Sequence, residues 1–101
     1  MKVVFGISEA SKWDLVSANV RNILVEDPNL EVAVVAYSEA VTIFVNKDLE
    51  LHKGVKYYLC NNAINSRGVD RSKLIKGVEI TNSGVYKILL LQEDNFRYIR
   101  S

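Results

Sequence analysis

Among 101 residues the chain has a single cysteine, Cys60, and a single histidine, His52. Cys60 stands where Val55-Lys-Tyr-Tyr-Leu59, a run with strand character, meets Asn61-Asn-Ala-Ile-Asn-Ser-Arg-Gly68, one or two helical turns stopped by glycine. A thiol at such a junction faces unpaired backbone N–H groups and the positive end of the helix dipole. Both favour the thiolate. The surrounding charge acts in the same direction. His52 to Gly77 holds Lys53, Lys56, Arg67, Arg71, Lys73 and Lys76 against Asp70 alone, a net of +5. A thiolate can attack a sulfur donor and hold the transferred sulfur as a persulfide. The competing reading is that Cys60 is a small hydrophobe in the core, since free cysteine is among the most buried residue types.

Other chemistries fit less well. His52 precedes the cysteine strand and Cys60 ends it, so extended chain separates them by about 17–20 Å within one subunit. That spacing excludes a Cys–His hydrolase pair in one chain. Gly6-Ile-Ser-Glu-Ala-Ser11 follows an apolar run with one glycine, where dinucleotide binding needs G-x-G-x-x-G. Ser83-Gly84 can begin a helix and hold an anion there, although serine is equally a plain cap. Glu26/Asp27 and Glu93/Asp94 read as solvated helix ends, and no metal-ligand spacing occurs, so no metal and no cofactor is expected. Phe96, Arg97, Tyr98 and Arg100 form a weak stacking-plus-charge pattern for nucleic acid. Closing the core or a subunit contact explains those aromatics better.

These candidates have to be positioned by regular elements. Lys2-Val-Val-Phe-Gly-Ile7 reads as a buried strand. Ser11-Lys-Trp-Asp14 has capping-box form, and Trp13, Val16, Val20, Ile23 and Leu24 then follow at helical spacing until Asp27-Pro28-Asn29. Glu31-Val-Ala-Val-Val-Ala-Tyr37 is a second apolar strand. Near-continuous apolar strands imply a parallel sheet buried between helical layers. A parallel third strand at Val55–Leu59 needs a crossover, and we place a short helix near Ala40 to Val45 with a loop behind it. Asp70 can cap a short turn through Leu74. Val78-Glu-Ile80 is a fourth strand, Asn82 or Ser83 caps a helix carrying Val85, Ile88, Leu89 and Gln92, and Tyr98-Ile-Arg100 is an edge strand. With no repeats or linkers, residues 1–101 read as a single domain, a five-strand α/β sandwich.

In an open parallel sheet, ligands gather beyond the carboxyl ends of the strands. That rule selects Ser8 and Glu9, then Tyr37 and Ser38, then Cys60, Asn61 and Asn62, and finally Asn82 and Ser83. The same edge also permits a non-catalytic module in which Ser8, Ser38, Asn62 and Ser83 bind a small ligand or anion.

Composition narrows the setting. The net charge of +1 argues against a dedicated nucleic-acid binder, which is usually strongly basic. One cysteine excludes a disulfide framework or a four-cysteine metal site within one chain. No apolar run approaches the ~20 residues of a membrane span, and Val3 to Ile7 is too short for the core of a secretory signal. A cytoplasmic protein that binds neither membrane nor nucleic acid is expected.

The segment Gly54-Val-Lys-Tyr-Tyr-Leu-Cys-Asn-Asn-Ala-Ile-Asn-Ser-Arg-Gly-Val69 resembles the DsrE/DsrF-like family. The likeness continues through Leu74, Gly77-Val-Glu-Ile80, Ser83-Gly-Val85, Leu91-Gln92 and Phe96 to Ile99, and also covers Tyr37-Ser-Glu-Ala-Val41. It implies a three-layer α/β/α fold with a five-stranded, mainly parallel sheet, and assembly into trimers or hexamers. It further implies a sulfur carrier or sulfurtransferase of a sulfur relay, working between donor and acceptor proteins, with Cys60 matching the persulfide-bearing cysteine. On that basis Asn61 and Asn62 fall in the turn that cradles the terminal sulfur, and Arg67 closes the same short helix. Asn46 to Lys53 is short beside many relatives, so the resemblance implies a more open pocket.

Overall fold

The structure is a computed structural model that describes residues 1–100. Strand β1 (Lys2–Ile7) leads through a 3-10 turn (Ala10–Lys12) into helix α1 (Trp13–Glu26). Strand β2 (Glu31–Ala36) is followed by a 3-10 segment (Ser38–Val45), then strand β3 (Lys56–Cys60) and helix α2 (Asn61–Ser66). A further 3-10 turn (Arg71–Lys73) precedes strand β4 (Val78–Thr81), helix α3 (Gly84–Glu93) and strand β5 (Phe96–Arg100). The strands form one sheet in the order β4-β3-β2-β1-β5, and every pairing is parallel.

Side-chain alternation divides the core between the two faces. Val3, Phe5, Ile7, Val32, Val34, Ala36, Tyr57 and Leu59 pack against Val16 and Val20 of α1, Ala40, Val41 and Phe44 of the 3-10 segment, and Ala63 and Ile64 of α2. On the other face Val4, Ala33 and Val35 pack with Leu91, Phe96 and Ile88, so α3 alone makes that layer. Burial on both faces accounts for the apolar character of β1 and β2. The result is the α/β/α sandwich expected from the sequence.

Two local expectations are corrected. Ser11 does not cap α1: the cap position is Lys12, which makes no side-chain bond there. The chain enters α1 through the 3-10 turn, and the Ala10 N–H is instead taken by the Glu39 carboxylate at 2.8 Å. The crossover after β2 is helical but of 3-10 type, running from Ser38 to Val45. Its backbone is tied to neighbours, with Ala40 N–H donating to Ser8 O at 3.1 Å and Ile75 N–H to Phe44 O at 2.9 Å. Asp70 and Ser83 do cap as expected, through Ser72 N–H at 3.0 Å and Tyr86 N–H at 3.2 Å.

Candidate functional site at the carboxyl edge of the sheet

Because all strands run the same way, Ile7, Ala36, Cys60, Thr81 and Arg100 end at one edge. Cys60 is the last residue of β3 and also the cap position of α2. It is 7% exposed and unbridged. Its side chain makes no capping bond to α2, and the Asn62 N–H donates instead to Asn82 O at 3.4 Å. Of the α2 donors expected to face the thiol, the Asn62 N–H is thus spent on joining α2 to the residue after β4.

A second helix start meets the cysteine from the other face. A Cβ built on Gly84 would lie 3.1 Å from Cys60 Cβ, 2.9 Å from Tyr37 Cβ and 3.4 Å from a Val35 methyl. Only glycine allows the first turn of α3 to approach this closely. The first turn of α3, with its positive dipole end, therefore lies beside Cys60, its Tyr86 N–H being taken by the Ser83 hydroxyl. The sequence marks Ser83-Gly84 as a helix start but carries no sign of this contact, because packing across the sheet leaves no local signal.

Around α2 the polar residues are linked in pairs. Arg67 donates to Ser38 Oγ at 3.1 Å, and Ser38 has a positive φ of 53°. Arg71 donates to the Asn61 amide oxygen and, at 2.7 Å, to that of Asn65. Arg71 was counted in the sequence only for its charge, yet it fixes Asn61, the residue next to Cys60. The turn carrying Arg71 is anchored in turn by Asp70. The Ser72 hydroxyl and N–H hold the Asp70 carboxyl below the usual carboxylate range.

The structure thus gathers Cys60, Asn61, Asn62 and Ser83, with Arg67 and Ser38 paired nearby. Ser8 does not join them. It lies at the end of β1 in a polar cleft of about 320 Å³ lined also by Glu9, Lys12, Tyr37, Tyr98 and Arg100. A second cleft, apolar and about 510 Å³, runs along α3 between Tyr37, Ser83, Val85, Tyr86, Leu89 and Tyr98. Cys60 lines neither.

The short Asn46–Lys53 stretch does not open the thiol to solvent. Asn46, Asp48, Leu49 and Glu50 line a groove against Trp13 and Asp14 of α1. Leu51 reaches Gly77, just before β4, and the His52 N–H donates to Tyr57 Oη at 2.8 Å. Leu51 and His52 therefore lie at the amino-terminal end of β3, a strand's length from Cys60, while Asn46 to Glu50 lie against the start of α1. Burial raises the Tyr57 phenol above its ordinary value, with the His52 bond opposing the rise. Among the described residues no His, Cys, Asp and Glu group could hold a metal ion.

The DsrE/DsrF-like family matches residues 7–100. The chain belongs to the DsrE/DsrF-like family. A solved structure of this architecture, the protein of unknown function MTH1491 from Methanobacterium thermoautotrophicum, is 32% identical. The match covers 99% of this chain and 98% of that one, with a TM-score of 0.87. No curated protein matches. In this DsrE/DsrF-like chain, no helix among the described residues is long and apolar enough to cross a membrane.

Proposed function

We propose that this protein is a cytoplasmic sulfur carrier working through Cys60. The Cys60 thiolate attacks the terminal sulfur of a donor persulfide, the donor's S–S bond breaks, and the donor leaves as a thiolate. Cys60 then holds the sulfur as a persulfide anion. An acceptor thiolate attacks that terminal sulfur, and Cys60 leaves as the thiolate it began as. The cycle is redox-neutral and, as written, needs no cofactor. One cysteine per chain cannot resolve the persulfide within the subunit, so donor and acceptor proteins are required.

The observation that carries this reading is the meeting of two helix starts at Cys60 in a chain of this family. Asn61 follows directly, and the Gly84 turn lies against the thiol's own Cβ. Positive helix ends stabilise an anionic sulfur terminus. The Asn61 amide, held by Arg71, and the Asn62 side chain stand at the same turn, with Arg67 and Ser38 bracing it.

The apolar side chains of Val85, Tyr86 and Leu89 are 63%, 59% and 53% exposed on α3, whose first turn borders the cysteine. We assign that face to subunit contacts in a homo-oligomer, a trimer or hexamer.

Cyanolysis tests the carrier reading. Cyanide attacks the terminal sulfur of a loaded persulfide to release thiocyanate and return Cys60 as a thiolate. Donor-treated wild type should release thiocyanate in proportion to chain, and Cys60→Ser none. Equal release from both proteins would end the reading.

One observation favours a second reading, in which Cys60 is packing and the strand-end edge binds a small ligand. The thiol is only 7% exposed. Native alkylation separates the two, since a thiol used only for packing reacts no faster than global unfolding exposes it.

A further inference from the structure

The polar cleft at the ends of β1 and β5 is separate from Cys60 in both position and chemistry. Two strand positions divide β3 from β1 in the order β4-β3-β2-β1-β5, about 10 Å at the usual strand spacing. It also sits at the break in the winding. From β1 to β4 the strands succeed one another outward in one direction, whereas α3 carries the chain back across the opposite face to place β5 beside β1. Ligands of open α/β sheets bind outside the carboxyl ends of the strands at such a reversal.

The lining is built for a charged group. Gly6 forms part of the floor, and a Cβ on it would lie 3.1 Å from the ring edge and 3.1 Å from the hydroxyl of Tyr98. The missing side chain thus lets the Tyr98 phenol lie across β1 and bring its hydroxyl to the cleft. Ser8 and Tyr37 add two more hydroxyls, and Lys12 and Arg100 add two cations. Among the described residues neither cation is in an ion pair; the ion pair found there joins Lys2 and Asp94 at the far end of the sheet. Glu9 is the one acid, leaving the lining with a net charge of +1 from Lys12, Arg100 and Glu9.

We propose that this cleft binds a small molecule through an oxyanion group, a phosphate or a carboxylate. Arg100 and Lys12 hold the charged oxygens, Ser8, Tyr37 and Tyr98 donate to them, and Glu9 accepts from a hydroxyl or ammonium elsewhere on the ligand. An arginine fork beside a lysine suits oxyanions generally, so the chemistry of the head group stays shared between the two sources. The volume of about 320 Å³ matches a molecule at the small end of the metabolite range.

The test is titration of the full chain with inorganic phosphate and, separately, with acetate, followed by amide chemical shifts and calorimetry. Saturable binding of either probe, with shifts concentrated at Ser8, Glu9, Lys12 and Arg100, is the expected result. The stronger probe identifies the head group. Arg100→Ala and Lys12→Ala should each weaken it about tenfold, the loss of one charge-assisted contact. Both variants should load sulfur on Cys60 as wild type does, so a failure here is distinguishable from a failure of the carrier reading. Absence of saturable binding of both probes overturns the proposal, as does binding that both variants leave unchanged.

Discussion

The packing around Cys60 depends on a residue without a side chain. Gly84 lets the first turn of α3 lie against the cysteine and Tyr37, with no room for a methyl at 3.1 and 2.9 Å from their respective Cβ atoms. Gly84→Ala should therefore cost about 1–3 kcal/mol through overpacking, read as a lower denaturant midpoint. It should also slow sulfur loading at Cys60 by moving the positive start of α3 outward. An unchanged midpoint would mean that the contact is looser than described. Arg71 acts differently, through hydrogen bonds to Asn61 and Asn65 on an exposed surface. Arg71→Ala should lower stability by only about 0.5–1.5 kcal/mol, yet reduce the rate of sulfur transfer by freeing the Asn61 amide. Loss of stability without loss of rate would limit Arg71 to a structural part. The cysteine and its flanking asparagines were readable from the sequence because strand, turn and helix signals change sharply at residue 60. Gly84 and Arg71 were not, because their partners are 24 and 10 residues away and meet them only through the fold.

Among the elements, β3 joins the two ends of the sheet. Its carboxyl end carries Cys60, and near its start Tyr57 is buried with its hydroxyl accepting from His52 N–H. Burial raises the Tyr57 phenol above 10.0, the ordinary tyrosine value. The folded state thus favours the protonated phenol. Its contribution is complete below the unfolded-state value and is lost as pH rises through the folded-state one. Equilibrium unfolding should accordingly show stability falling above about pH 10. Tyr57→Phe should flatten that fall, and an unaltered alkaline limb would count against it. Asp70 works in the opposite direction. Its lowered carboxyl steadies the Arg71 turn at neutral pH, and that contribution disappears as acid protonates it below the ordinary carboxylate range. The apolar strands β1 and β2 and the Ser83 cap were legible because burial and capping leave their mark on neighbouring residues. The 3-10 form of Ser38–Val45 and the 3-10 entry to α1 were not, since hydrophobic spacing reports a helical face without fixing its pitch. Hydrogen bonds from distant residues, such as Ala40 N–H to Ser8 O, decide that detail.

On the scale of the whole molecule, the layers are unequal. One face of the sheet is covered by α1, α2 and the 3-10 segments, the other by α3 alone. That single helix leaves Val85, Tyr86, Leu89 and Leu90 exposed, with Tyr98 beside them on β5. A surface of this kind is expected to be covered by another copy of the chain. Sedimentation at micromolar concentration should show a species several times 11.4 kDa. Leu89→Glu, which puts a charge into the contact, should shift it to the single chain. A single-chain species in the wild type would remove the oligomer from the account. Fold class could be read from the order of strand and helix signals. The outward apolar face of α3 could not, because in the sequence it looks like a core face until the structure shows which side meets the sheet.

The central claim is that Cys60 carries sulfur. Intact-protein mass spectrometry after exposure to a persulfide donor addresses it most directly, with wild type and Cys60→Ser compared before and after reductant. The account predicts one added sulfur per wild-type chain, removed by reductant and absent from Cys60→Ser. A wild-type chain that gains no sulfur, on a thiol that also resists alkylation in the native protein, would contradict it and make Cys60 a core residue.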